Sequence, residues 1–176
     1  MDANNVSIFG AGSWGTALAI LLSQNQRPVV LWGHNPEHQA ALADSRCNEG
    51  YLPGIPFPDS LQIESDTRAA VAASETLLIA VPSHVFRDTL KLIQPFLQTG
   101  QRIAWASKGL EPDTHKLLHA IAEEELGEQY PLAVVSGPTF AREVAKGLPT
   151  AVTVCSKNSD FAEQLAARLH TETFRA

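Results

Sequence analysis

Gly10-Ala11-Gly12-Ser13-Trp14-Gly15 lies between the apolar run Val6-Ser7-Ile8-Phe9 and a segment in which Trp14, Ala17, Leu18, Leu21 and Leu22 recur at helical spacing. Read together, these residues predict a strand, a glycine turn and a helix. In that setting each glycine has a distinct task. Gly10 permits the tight turn, Gly12 lets the backbone approach a pyrophosphate, and Gly15 allows helix and strand to pack closely. The unpaired amides and partial positive charge of the first helical turn suit a diphosphate. A turn that merely joined two elements would not need GxGxxG at this junction, so the stretch predicts dinucleotide binding.

Pro28 then introduces Val29-Val30-Leu31-Trp32, which has no polar alternation and so reads as a strand buried on both faces. A parallel βαβ unit results. Sites selective for NAD place Asp or Glu at the end of the second strand, about 20 residues beyond the glycines. Here that position reads Trp32-Gly33-His34-Asn35, without a carboxylate to repel a 2′-phosphate. Either His34 donates to that phosphate, favouring NADPH, or it sits on an exposed turn and leaves the preference open.

The alternation continues to the end of the chain. A helix is expected over Glu37 to Asp44, and Pro53-Gly54-Ile55-Pro56-Phe57-Pro58 is too rich in proline for regular structure. A short strand starts at Ile63, and Asp66 caps an alanine-rich helix through Ala73. Thr76 to Val81 is an apolar strand stopped by Pro82, after which Ser83 caps a helix carrying Val85, Phe86, Leu90 and Ile93 inward. Ile103 to Ala106 is the next strand. Asp113 is expected to cap a helix with Leu117, Leu118 and Ile121 inward and Glu123, Glu124 and Glu125 at a solvated end. Leu132 to Val135 is a further strand, followed by a helix over Phe140 to Lys146 with Gly147 as its stop. Thr150 to Cys155 reads as one strand, Ser159 as the cap of a helix over Phe161 to His170, and Thr173-Phe174-Arg175 as the start of a strand at which the sequence ends. That ending suggests a truncated version of a longer protein.

The fold class expected from this pattern is α/β: a Rossmann-type doubly wound, mainly parallel sheet with helices on both faces. With 176 residues, 44% hydrophobic and 18% charged, the chain has the size and apolar content of one domain spanning 1–176. Its formal net charge of -6 disfavours nucleic acid as a partner. No apolar run approaches the ~20 residues a membrane span needs, and the Met1-to-Asn5 start has no leader character. Cys47 and Cys155 are widely separated, which favours reduced thiols and a cytoplasmic location.

Ligands of an open parallel sheet lie beyond the carboxyl ends of its strands. Lys108, in Ser107-Lys108-Gly109, and Ser136-Gly137-Pro138-Thr139 both follow strands and therefore face the same crevice as the glycine turn. No metal site is expected. Pro36 stands between His34 and His38, while His115 and His119, though spaced for one helix face, lack a third ligand.

Gly10 to Ala17, Leu31-Trp32-Gly33-His34, Val81-Pro82-Ser83, Ser107-Lys108-Gly109-Leu110 and Ser136 to Ala141 occur in the order and spacing of the bacterial NAD(P)-dependent glycerol-3-phosphate dehydrogenases. The chain resembles the N-terminal half of that family. The resemblance implies binding of NADPH or NADH, with Ser13, Trp14, His34, Pro82 and Ala141 joining Gly10, Gly12 and Gly15 at the cofactor. It implies that Lys108 lies where nicotinamide and substrate meet, and that Gly137 and Thr139 border the substrate. It further implies interconversion of dihydroxyacetone phosphate and sn-glycerol 3-phosphate, feeding glycerophospholipid synthesis, and a C-terminal helical domain, carrying the acid/base lysine, that this chain lacks. The alternatives are another two-domain hydroxy-acid dehydrogenase or a free-standing NAD(P)-binding redox sensor.

Overall fold

The computed structural model describes residues 2–24 and 28–176; Met1, at the start of the segment read above for leader character, lies outside them. Strands β1 (Asp2–Phe9), β2 (Val29–Trp32), β5 (Leu61–Glu64), β6 (Ser74–Ile79), β7 (Arg102–Trp105), β8 (Leu132–Ser136) and β10 (Thr153–Ser156) form one sheet in the order β10-β8-β7-β6-β1-β2-β5. All its pairings are parallel except β10 against β8. The sheet is therefore doubly wound, and its order reverses between β1 and β6, the place where such folds open a crevice.

Helices cover both faces. On one side lie α1 (Ser13–Gln24), α6 (Ala141–Ala145) and α7 (Ser159–Leu169), with Leu18, Leu22, Phe161 and Leu165 in the core. On the other lie α3 (Thr67–Ala72), α4 (Phe86–Ile93) and α5 (Leu118–Leu126), contributing Val71, Phe86, Leu90 and Ile121. The β2 residues are buried throughout, as a strand covered on both faces requires. The periodicity of α1 suggested a single buried face, but Gly15 to Ser23 are all buried because α6 and α7 also pack against that helix.

Several boundaries depart from the sequence reading for local reasons. Helix α2 (Pro36–Ser45) begins on Pro36, whose fixed φ and missing N–H suit a first helical position, so this proline does not oppose the helix containing His38. The proline-rich segment includes β4 (Leu52–Pro56), paired antiparallel with β3 (Cys47–Asn48) in a two-stranded ribbon whose edges tolerate missing donors. Asp113 caps nothing. The helix starts at Leu118, with Leu117 as an exposed cap residue, because His115 at φ +55° breaks the helical path. His115 and His119 therefore do not share a helix face.

Ser83 belongs to a 3₁₀ turn, Ser83–Val85, and makes no capping bond. Asn158, rather than Ser159, caps α7 by accepting from the Phe161 amide. The expected strand Thr150 to Cys155 is divided at Val152 into β9 (Thr150–Ala151) and β10, and β9 pairs with β11 (Phe174–Arg175) outside the main sheet. The carboxylates at the end of α5 are more than a solvated run: Glu124 and Glu125 pair with Arg87, and Glu123 with Lys157.

Candidate dinucleotide site

The glycine turn opens at the end of β1, where the Gly10 amide donates to the Trp32 carbonyl at 2.8 Å. Gly10 has φ +124°, and a Cβ on it would lie 2.8 Å from the Ala80 carbonyl oxygen. A Cβ on Gly15 would lie only 1.8 Å from the Gly10 carbonyl oxygen. These two glycines are therefore packing requirements of the turn. Gly12 differs, because a Cβ there would meet no heavy atom within 4 Å and would project into open space. The packing of the fold therefore does not require a glycine at this position. The first amides of α1 lack intrahelical acceptors, so this cradle fits a diphosphate.

The open space is a cleft of about 460 Å³ bordered by Gly12, Ser13 and Trp14 on one side and by Val81, Pro82, Ser107, Lys108, Thr139 and Ala141 on the others. Residues remote in sequence meet there because β1, β6, β7 and β8 all end at the same edge. Trp14 Nε1 donates to the Ala106 carbonyl at 3.2 Å, holding the indole across the cleft floor. Lys108 Nζ lies 5.7 Å from the centre of that indole ring and donates to the Gly137 and Thr139 carbonyls at 3.3 and 3.4 Å. An ammonium over an indole face is attracted by the ring quadrupole. Gly137 is needed for packing, since a Cβ would stand 2.7 Å from the Ala151 carbonyl oxygen. The hydroxyl oxygens of Ser107 and Thr139 are both buried at this cleft and make no hydrogen bond to other protein groups.

His34 is exposed beyond the end of β2 and does not border this cleft. Gly33 before it is a packing requirement, because a Cβ there would clash with the buried Gln39 amide and with Ala11. With its side-chain amide oriented so that both ends are satisfied, Gln39 accepts from the Gly33 N–H at 3.0 Å and donates to the Leu31 carbonyl at 3.3 Å.

Sequence reasoning missed two supports of the site. Asn48 is fully buried and donates to the Ala11 carbonyl at 3.0 Å and the Thr16 hydroxyl at 2.8 Å, hanging the β3–β4 ribbon from the glycine turn. The same side chain accepts from the Tyr51 amide, which sets Tyr51 at the cleft rim. The second is the ion pair Arg87–Glu111 beneath the loop carrying Lys108. Neither has a local sequence signature, because both connect segments far apart in the chain. A larger depression of about 630 Å³ lies over β8 and β10, bordered by Tyr130, Leu132 and Cys155. It is away from the topological switch and gathers none of the residues predicted from sequence.

A doubly wound sheet with a glycine turn at its switch point defines a dinucleotide-binding domain of the dehydrogenase type. The family model for the N-terminus of NAD-dependent glycerol-3-phosphate dehydrogenase matches residues 5–162, and the chain belongs to that family. It is 55% identical over 172 residues to glycerol-3-phosphate dehydrogenase [NAD(P)+] of Pectobacterium atrosepticum, covering 97% of this chain and 51% of that protein. The corresponding enzyme of Aeromonas hydrophila is 54% identical over 169 residues, covering 96% and 51%. The crystal structure of glycerol-3-phosphate dehydrogenase from Coxiella burnetii superposes with TM-score 0.93 at 42% identity, covering 98% of this chain and 53% of that one. The chain thus spans about half the length of the curated relatives it matches.

Proposed function

We propose that this chain is the cofactor domain of an oxidoreductase that interconverts dihydroxyacetone phosphate and sn-glycerol 3-phosphate with NADPH or NADH. The observation that carries this reading is the meeting of Gly12, Trp14, Lys108 and Thr139 at one cleft. Family membership supplies the substrate class. The nicotinamide of the cofactor supplies the hydride when bound.

In this reading Gly12, Ser13 and the first amides of α1 hold the diphosphate, and Trp14, Pro82 and Ala141 line the path of the dinucleotide. His34 lies where the adenine ribose would end. Lys108 attracts the oxygen of the substrate carbonyl, and its positive charge becomes more valuable as negative charge develops there. The Gly137–Thr139 turn borders the substrate, with the Thr139 hydroxyl ready to accept a polar partner. The opposite wall and the acid/base lysine belong to a C-terminal helical domain of the same protein, by similarity to relatives about twice as long.

A cytoplasmic role in supplying glycerophospholipid backbones agrees with unpaired Cys47 and Cys155 and with the lack, among the described residues, of a helix long and apolar enough to cross a membrane. A redox sensor would not require Lys108 and Thr139 at the strand ends.

The test is NADPH oxidation driven by dihydroxyacetone phosphate, in a protein of the relatives' length that contains this chain, with and without Lys108→Ala. Turnover should fall far more than cofactor affinity does. Equal turnover in the two proteins would refute the role of Lys108, and no activity with this substrate would refute the substrate assignment.

A further inference from the structure

We propose that Arg87 and Glu111 are positioning residues for Lys108, fixing the loop from which its ammonium reaches the cleft. This rests on the reading of Lys108 given above and extends it to residues that do not touch the cleft.

The loop leaves β7 at Ala106 and has no helix or strand until α5 begins at Leu118. It closes on itself. The Glu111 amide donates to the Lys116 carbonyl at 3.0 Å, the His115 amide donates to the Glu111 carbonyl at 2.9 Å, and Leu110 and Leu117 form an isolated antiparallel bridge. Glu111 is thus the root of a compact turn, and Lys108 extends from its approach. Gly109 lies between them at φ +98°, and a Cβ there would stand 3.5 Å from Ser83 Oγ. A glycine beside Lys108 leaves that backbone conformationally free, so rigidity must come from elsewhere.

Arg87 provides it. From the first turn of α4, its Nε donates to Glu111 Oε1 at 2.6 Å and its Nη2 to Oε2 at 2.9 Å, a two-pronged pairing of planar groups. Glu111 is only 8% exposed, and the Thr114 hydroxyl donates to the same carboxylate. The guanidinium also reaches Glu124 at 3.0 Å and pairs with Glu125, both on α5. One side chain therefore joins the element that follows Pro82, the loop that carries Lys108, and the helix beyond it. The bonds of Lys108 itself are long and its side chain is exposed, so they define its position less tightly than the root of the loop does. Arg87 holds the Glu111 carboxyl down to about 2, so the pair stays charged through the neutral range.

The experiment measures acylation of individual lysines in the folded chain by mass spectrometry, with the exposed Lys146 at the end of α6, which makes no bond to Arg87 or Glu111, as internal standard. Glu111→Gln should raise the Lys108 rate relative to Lys146 by about threefold or more, as expected for a loop released into local opening. Arg87→Lys keeps the charge but loses the fork, and should give an intermediate increase; Arg87→Met should match Glu111→Gln. General loss of stability would raise both lysines together and leave their ratio unchanged. An unchanged ratio in these variants overturns the proposal, and Arg87→Lys decides it should Glu111→Gln fail to fold. Added NADPH separates the two readings. Failure of NADPH to slow Lys108 acylation in the unaltered chain refutes its place beside the cofactor, while the cofactor-free ratios still decide the clamp.

Discussion

The indole nitrogen of Trp14 donates to the carbonyl of Ala106 at 3.2 Å, across 92 positions of sequence. That bond ties the first turn of α1 to the end of β7, two residues before Lys108. It braces the cleft that the shared edge of the strands forms between a glycine turn and a lysine from opposite halves of the chain. Trp14→Ala should remove the bond and the surface beneath the Lys108 ammonium. The expected outcome is a several-fold weaker NADPH affinity and a stability loss of about 3 kcal/mol or less, since the indole is only partly buried. Fluorescence titration and urea unfolding check the two parts separately.

The glycines of the turn should separate into two kinds. Gly12→Val should fold normally and lose binding of both reduced cofactors, because its side chain enters open space where a diphosphate would approach. Gly15→Ala should instead destabilise the fold by about 1–3 kcal/mol, since its Cβ meets the Gly10 carbonyl and the backbone must move. Retained affinity in a folded Gly12→Val chain would remove the dinucleotide assignment.

Asn48 offers a test of the ribbon's attachment. Asn48→Ala leaves the buried Ala11 carbonyl without this donor and frees Tyr51, and should cost about 1–3 kcal/mol. Chemical denaturation measures the cost. Asn48→Ser, too short to reach both acceptors, should recover little of it.

Cofactor preference should respond to His34 through charge. A carboxylate at that position, as in His34→Asp, would repel a 2′-phosphate and shift the NADPH-to-NADH affinity ratio toward NADH by about tenfold, or 1.4 kcal/mol. Parallel titrations with the two cofactors measure the ratio, and an unchanged value would place His34 away from the 2′-phosphate.

Acid stability should depend on Glu111. Its carboxyl is lowered from an ordinary value near 4.5 to about 2, chiefly by hydrogen bonds from Arg87 and then Thr114. The folded state therefore binds a proton at this group less readily than the unfolded state does. Its stabilisation is fully present above about pH 4.5 and is lost as pH falls toward 2. The lowered values of Glu123 and Glu124, held by Lys157 and by Lys116 with Arg87, act in the same direction. Glu111→Gln should flatten the acid limb of a melting-temperature profile without altering its shape near neutrality. A limb of unchanged slope would mean that the ion pair contributes nothing to folding.

Local periodicity and turn chemistry were sufficient to read the strand–glycine turn–helix at Phe9 to Gly15, the apolar strands and the Asp66 cap, because each depends on neighbours within a few residues. From strand ends alone, Lys108, Gly137 and Thr139 could be assigned to one edge, since a parallel sheet presents all its carboxyl ends together. Tertiary structure decided the rest. His115 at φ +55° delays α5, and the Asn48 and Arg87 bonds join segments with no shared local pattern. The sequence by itself determined the βαβ order and the glycine cradle, through short-range sterics and burial. Only the tertiary structure decided that Trp14 and Lys108 would meet, that His34 would turn outward, and that an ion pair would brace the lysine loop, because these depend on how distant backbones and side chains pack against one another.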